Sequence, residues 1–152
     1  MRARFVVSAI LVLLCSRVAG EASQAKLQAE VGQVLEQQQR SWNRRDLEGF
    51  MAGYWNSPEL TLFSGAEVAT GWQATIERYR SKYQAANSEM GRLEFSDLHI
   101  EALSRDAAWV GGSWRLSLSR SRTTPHGLFT LIFRKFPEGW KIVHHHTSVA
   151  PG

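Results

Sequence analysis

Leu93–Ser119, LEFSDLHIEALSRDAAWVGGSWRLSLS, is the stretch whose reading decides the fold. It holds two long runs of strand-forming residues, Leu93–Leu103 and Ala107–Ser119, meeting at Ser104-Arg105-Asp106. So short a turn requires antiparallel neighbours. The pattern then repeats downstream. GLFTLIFRKF (Gly127–Phe136) follows a Thr-Thr-Pro-His-Gly turn, and WKIVHHHTS (Trp140–Ser148) follows Pro137-Glu138-Gly139. The four runs predict a meander. Gly111-Gly112 inside the second run predicts a bulge or bend where the sheet curls. The tail from Val149 to Gly152 is expected to fray.

Upstream, the period changes from two to about 3.6. Leu27, Val31, Val34, Leu35 and Trp42 recur at helical spacing, which predicts a helix over 24–45. Asp46 is placed to cap a second, short helix carrying Leu47, Phe50, Met51 and Tyr54. Ser57-Pro58-Glu59 reads as a turn into a strand over Leu60–Phe63, and Ser64-Gly65-Ala66 turns back into a weak strand around Val68. Thr70 and Gln73 have capping-box spacing before a third helix. Its Trp72, Ile76, Tyr79 and Tyr83 form one stripe. The order is α-α-β-β-α-β-β-β-β. The predicted class is α+β, a cone-shaped curved antiparallel sheet with helices packed on its concave face. The open end of such a cone suits a small molecule.

The first twenty residues read as a signal peptide, with the domain proper over 24–149. MRAR is a positive start, FVVSAILVLLC an apolar run of about eleven residues, and Val18-Ala19-Gly20 a cleavage-site pattern. An uncleaved anchor needs roughly twenty apolar residues to span a bilayer. The expected location is therefore secreted or periplasmic, with no membrane association after cleavage. The chain has 18 Lys+Arg against 14 Asp+Glu, and Arg2, Arg4 and Arg17 leave with the signal, so 15 stand against 14 afterwards. The remaining arginines are scattered, which gives no case for nucleic acid. Cys15 is the single cysteine and also leaves, so neither disulfide nor thiol chemistry is expected.

Trp42-Asn43-Arg44-Arg45-Asp46-Leu47-Glu48-Gly49-Phe50 resembles the tryptophan-asparagine-x-x-aspartate corner of nuclear transport factor 2-like proteins. Gly71-Trp72, Gly127-Leu128-Phe129-Thr130-Leu131 and Gly139-Trp140-Lys141-Ile142-Val143 match as well. The chain is most similar to the SnoaL-like and ketosteroid-isomerase-like branch, over roughly Ala25 to Ser148. That resemblance implies a cone-shaped barrel, a homodimer, and a pocket between helices and concave sheet. Members include isomerases, dehydratases, polyketide cyclases and proteins with no known reaction, so fold does not settle function. In many relatives the closing strand reads histidine-aspartate-histidine before threonine-serine. Here His145 stands where that aspartate would sit.

Strict alternation puts Trp140, Ile142, His144, His146 and Ser148 on one face of the last strand. Trp140 and Ile142 are the larger apolar pair, so His144 and His146 are expected to line the cone and His145 to point outward. Four readings of the three histidines stay open. A purification tag is disfavoured by the patterned strand around them. A metal site could use His144 and His146, about 6.5–7 Å apart along the strand. Zinc wants three or four protein ligands, and only Asp97 or His99, on a strand of unknown register, offers a third, so no metal is assigned. Acid/base work at His144 or His146 suits a group that titrates near neutrality, with Asp97 as orienting partner. Simple strand-end packing is the fourth. For Asp97, plain solvent exposure beside His99 and Glu101 competes with a pocket role.

The rest of the predicted pocket is aromatic: Trp42, Tyr54, Trp72, Tyr79, Trp114 and Phe129, with Tyr83. Each also makes sense as core. Together they favour an apolar or aromatic small molecule with one or two polar groups, and no cofactor. Two functions follow. One is a ligand-binding cone domain with isomerase or lyase chemistry by histidine-mediated proton transfer, aided by Tyr54. The other is a non-catalytic dimerisation or partner-binding module with a filled cone and an apolar outer face of Leu116, Leu118, Leu128 and Ile132. If inside and outside are inverted, those four belong to the core.

Overall fold

The computed structural model describes the backbone of residues 4–151 and the side chains of residues 20–151. Almost all of the expected signal segment, Cys15 included, lies outside the described side chains. Nine elements follow in order: α1 (Arg4–Asn43), α2 (Leu47–Met51), β1 (Thr61–Ser64), β2 (Glu67–Thr70), α3 (Trp72–Tyr83), β3 (Arg92–Ala102), β4 (Ala107–Ser117), β5 (His126–Phe136) and β6 (Gly139–Thr147). Among the described residues, no helix is long and apolar enough to cross a membrane.

The sheet order is β2-β1-β6-β5-β4-β3, unclosed, with β3 to β6 as the predicted antiparallel meander. One pairing breaks the antiparallel rule. β1 runs parallel to β6, with Leu62 opposite His145. The sheet is therefore mixed. A parallel partner distant in sequence leaves no turn signal for sequence reading to find.

The corner between α1 and α2 explains the tryptophan-asparagine motif. Arg45 takes φ 64°. Its N–H reaches Trp42 O, and the Asp46 N–H reaches Ser41 O at 2.9 Å. This pair of bonds closes a helix in the Schellman manner, with Arg45 in the left-handed position usually held by glycine. Asp46 then caps α2, as expected, accepting from the Gly49 N–H at 2.8 Å. Trp42 Nε1 donates to Met90 O. Asn43 both donates to Leu93 O (2.9 Å) and accepts from Leu93 N–H (2.7 Å). Gln39 accepts from Phe95 N–H. α1 thus covers the free edge of β3, which would otherwise be an unpaired strand edge.

Two local expectations are corrected. Thr70 does not cap α3, because it ends β2 opposite Thr61. Gly71 is the cap residue, at φ 93°, with no side-chain cap bond, and Gln73 bonds Glu77 instead. The irregularity expected at Gly111-Gly112 lies on the facing strand. Ser96 pairs with Ser113 and His99 with Gly111, so Asp97 and Leu98 together oppose Gly112. Asp97 sits at φ 53°. A β-carbon on Gly112 would meet Phe129 and Leu98 at 2.7 and 2.8 Å, so its missing side chain makes room for both.

The core lies between the helices and the concave face. Val31, Leu35, Leu47, Met51 and Ile76 pack against Val110, Leu131, Phe133 and Ile142, all essentially inaccessible. Burying such side chains contributes roughly 1.5–3 kcal/mol each, before conformational entropy is charged. Leu116 belongs to this core and Leu118 packs against it, while Leu128 and Ile132 do face outward.

Candidate ligand pocket

β6 does not alternate along its whole length. Ile142 pairs with Phe133 and His144 with Ile132, so Val143 is an extra residue with no partner on β5. A bulge of one residue flips every later side chain to the other face. Trp140 and Ile142 point inward as predicted. After the bulge, His145 and Thr147 face inward, and His144 and His146 face outward. The expected orientation of all three histidines is thereby inverted. The bulge falls where β6 changes partners. Ile142 exchanges bonds with Gly53 and Trp55, just after α2, and from His144 onward the neighbour is β1.

The same exchange brings Tyr54 alongside β6. Its hydroxyl lies 2.9 Å from His145 Nδ1 and 3.5 Å from Tyr79 Oη, with the Tyr54 and His145 rings stacked at 22°. A phenol is the better donor and an imidazole nitrogen the better acceptor, which orders the chain Tyr79 to Tyr54 to His145 and leaves the ring proton on Nε2. Nε2 has no protein partner among the described hydrogen bonds and is not sealed off. The surface His145 retains therefore faces the hollow.

Burial, and then repulsion from His144, His146 and Arg78, pushes His145 down to about 3. Burial likewise raises Tyr54 well above the usual phenol value and Tyr79 to about 12. All three groups are neutral at neutral pH. The cavity above them has about 90 Å³ open to the centres of water-sized groups. That is room for about three waters at their liquid volume, or one small ring.

Trp42, Tyr54, Tyr79, Trp114 and Phe129 all line this cavity, with Tyr83, Phe95 and Gln38. Trp42, Phe50 and Tyr79 meet edge to face at 5.0–6.0 Å, the geometry aromatic quadrupoles prefer. Trp72 stands apart, half-buried, with its indole N–H donating to Met51 O. His144 lies on the outer face, its Nδ1 2.6 Å from Thr61 Oγ1 and its ring edge-on to Phe63. His146 is exposed near Phe63. Asp97 is exposed at the β3 bulge and hydrogen-bonded to Ser96. None of these last three reaches the cavity, and they form no acid/base unit there. Among the described residues, no group of three or more His, Cys, Asp and Glu is placed to hold a metal. His145, Gln38, Arg78 and Lys82 are among the lining residues that sequence reasoning missed. Position 145 did carry a signal, because the resemblance puts the relatives' aspartate there.

The family model described as a SnoaL-like domain matches residues 31–151. The chain belongs to the SnoaL-like family. A solved NTF2-like protein of unknown function from Shewanella oneidensis MR-1 is 37% identical, covering 79% of this chain and 97% of that one, at TM-score 0.72. A ketosteroid isomerase-like protein from Erwinia carotovora atroseptica SCRI1043 shares the fold at 18% identity, 82% and 96% coverage and TM-score 0.66. A cystatin-like-fold protein of unknown function from Nostoc punctiforme does so at 14% identity, 82% and 92% coverage and TM-score 0.70. No curated protein matches closely enough to lend this SnoaL-like domain a function.

Proposed function

We propose that this SnoaL-like domain binds a compact, apolar, ring-containing molecule carrying a carbonyl or hydroxyl group, without a cofactor. The observation that carries the reading is the free Nε2 of His145 at the bottom of an aromatic cavity, held from behind by Tyr54. A neutral imidazole with a depressed pKa is a poor base at neutral pH. It is a good fixed donor. Bonded to a carbonyl oxygen, Nε2–H stabilises negative charge that develops there, as isomerase or lyase chemistry beside a carbonyl requires. Proton removal and return then fall to water rather than to His145, because the Tyr54 and Tyr79 phenols stay protonated at neutral pH. The pattern of the first twenty residues supports export, with the folded domain acting in a secreted or periplasmic setting.

Titration of indole fluorescence tests the reading, since Trp42 and Trp114 line the cavity. Once a ligand is identified by native mass spectrometry, His145→Gln is expected to weaken it about tenfold, the cost of one buried hydrogen bond. The double variant His144→Gln/His146→Gln leaves affinity unchanged. The reverse ranking would remove His145 from the site.

A second reading, association through the sheet, rests on a separate observation. Phe63, Val68 and Leu128 lie on the outer face and are 38%, 63% and 63% exposed. Exposed large apolar side chains on one face favour the homodimer that the family resemblance implies.

A further inference from the structure

Among the described residues lining the cavity, two carry formal charge, and both are cations: Arg78 and Lys82. Among the described residues, no Asp or Glu lines it. The two stand one turn apart on α3, beside Tyr79 and Tyr83 at the same spacing, so one helical face presents aromatic rings to the cavity and ammonium and guanidinium groups to its rim. Arg78 is held there. Its side chain is 19% exposed, and one terminal nitrogen donates to Glu67, which is itself 72% exposed. A guanidinium has five N–H donors, so that ion pair leaves most of them unused. The bottom of the cavity is the opposite: His145, Tyr54 and Tyr79 are neutral and mutually hydrogen-bonded.

A cavity with a neutral polar floor, aromatic walls and cations at its rim discriminates by charge as well as by shape. Resting on the pocket reading above, we propose that its ligand class is a small-ring monocarboxylate. The carboxylate sits at the rim against Arg78 and Lys82, and the ring lies between Tyr79 and Phe129. A second polar substituent, where present, meets His145 Nε2. The rim position keeps the carboxylate partly hydrated, so it forms charge-assisted hydrogen bonds without full desolvation. A cationic ligand meets repulsion at the same place, and a multi-ring skeleton exceeds the enclosed space.

Isothermal titration of the protein with benzoate and with benzamide, matched in ring and shape but not in charge, is the test. Benzoate is expected to bind about tenfold more tightly. Arg78→Gln and Lys82→Gln each narrow that gap, the double variant closes it, and Arg78→Lys restores part of it. The wild-type preference shrinks as salt rises from 10 mM to 500 mM. Equal affinities in the wild type, or a preference that survives the double variant, overturn the proposal and leave the pocket reading standing. If neither probe binds, both fall. Should Arg78→Gln fail to fold, Lys82→Gln and the salt series decide alone. An unchanged preference in both would overturn the proposal.

Discussion

At the scale of single residues, His145 is the group on which the site turns, and its acidity gives a signed prediction. Its folded pKa, about 3, lies below the ordinary histidine value of 6.5. Between those values the unfolded chain binds the extra proton and the folded chain resists it. Stability is therefore full above about pH 6.5 and falls as pH drops towards 3. His145→Gln has no such proton. The difference in melting temperature between wild type and variant, followed from pH 7 to pH 4, is expected to shift steadily against the wild type. A difference independent of pH over that window would contradict a half-buried, neutral imidazole. The sequence made histidine at this position conspicuous but could not orient it. Trp140 and Ile142 were read correctly as inward, and the error entered at Val143, where neither glycine nor proline marks the bulge.

At the scale of elements, side chains hold strand edges and helix ends. Asn43 makes two hydrogen bonds to the Leu93 backbone on the edge strand. Asn43→Ala leaves a half-buried N–H and C=O unpaired, at a cost of roughly 2–3 kcal/mol. Denaturant unfolding checks the size, and faster amide exchange at Leu93 checks the location. Asp46→Ala removes the α2 cap and costs about 1 kcal/mol, read from the same unfolding curves. The capping of α2 was legible because Asp46 directly precedes an apolar period. The corresponding inference at Thr70 failed for a definite reason: strand pairing with Thr61 claims that residue, and Gly71 can turn the chain at a φ closed to threonine. Local spacing alone cannot weigh a tertiary hydrogen bond against a cap.

At the scale of the whole molecule, the α+β class, the element order and the four-strand meander could be read from periodicity and short turns. The parallel β1–β6 pairing and the two bulges could not, because they depend on contacts between distant segments. Those same features decide which residues face the hollow, so the fold was far more legible than the site. The aromatic wall survived the error because none of its six predicted members lies on β6 beyond the bulge, and five of the six line the cavity. Leu128→Glu places a charge on the outer face that also carries Phe63 and Val68. If that face joins two copies, light scattering coupled to gel filtration will show the wild type as a dimer and the variant shifted to monomer. A monomeric wild type would end the second reading without touching the first.

The central claim is that His145 is half-buried, neutral and bonded to Tyr54 beneath the cavity. Nitrogen-15 NMR of the imidazole rings tests it most directly. The account predicts that the His145 ring stays neutral from pH 7 down to about pH 4, with a tautomer that changes in Tyr54→Phe. A His145 ring that titrates near pH 6.5, or one that ignores the loss of the Tyr54 hydroxyl, would contradict it.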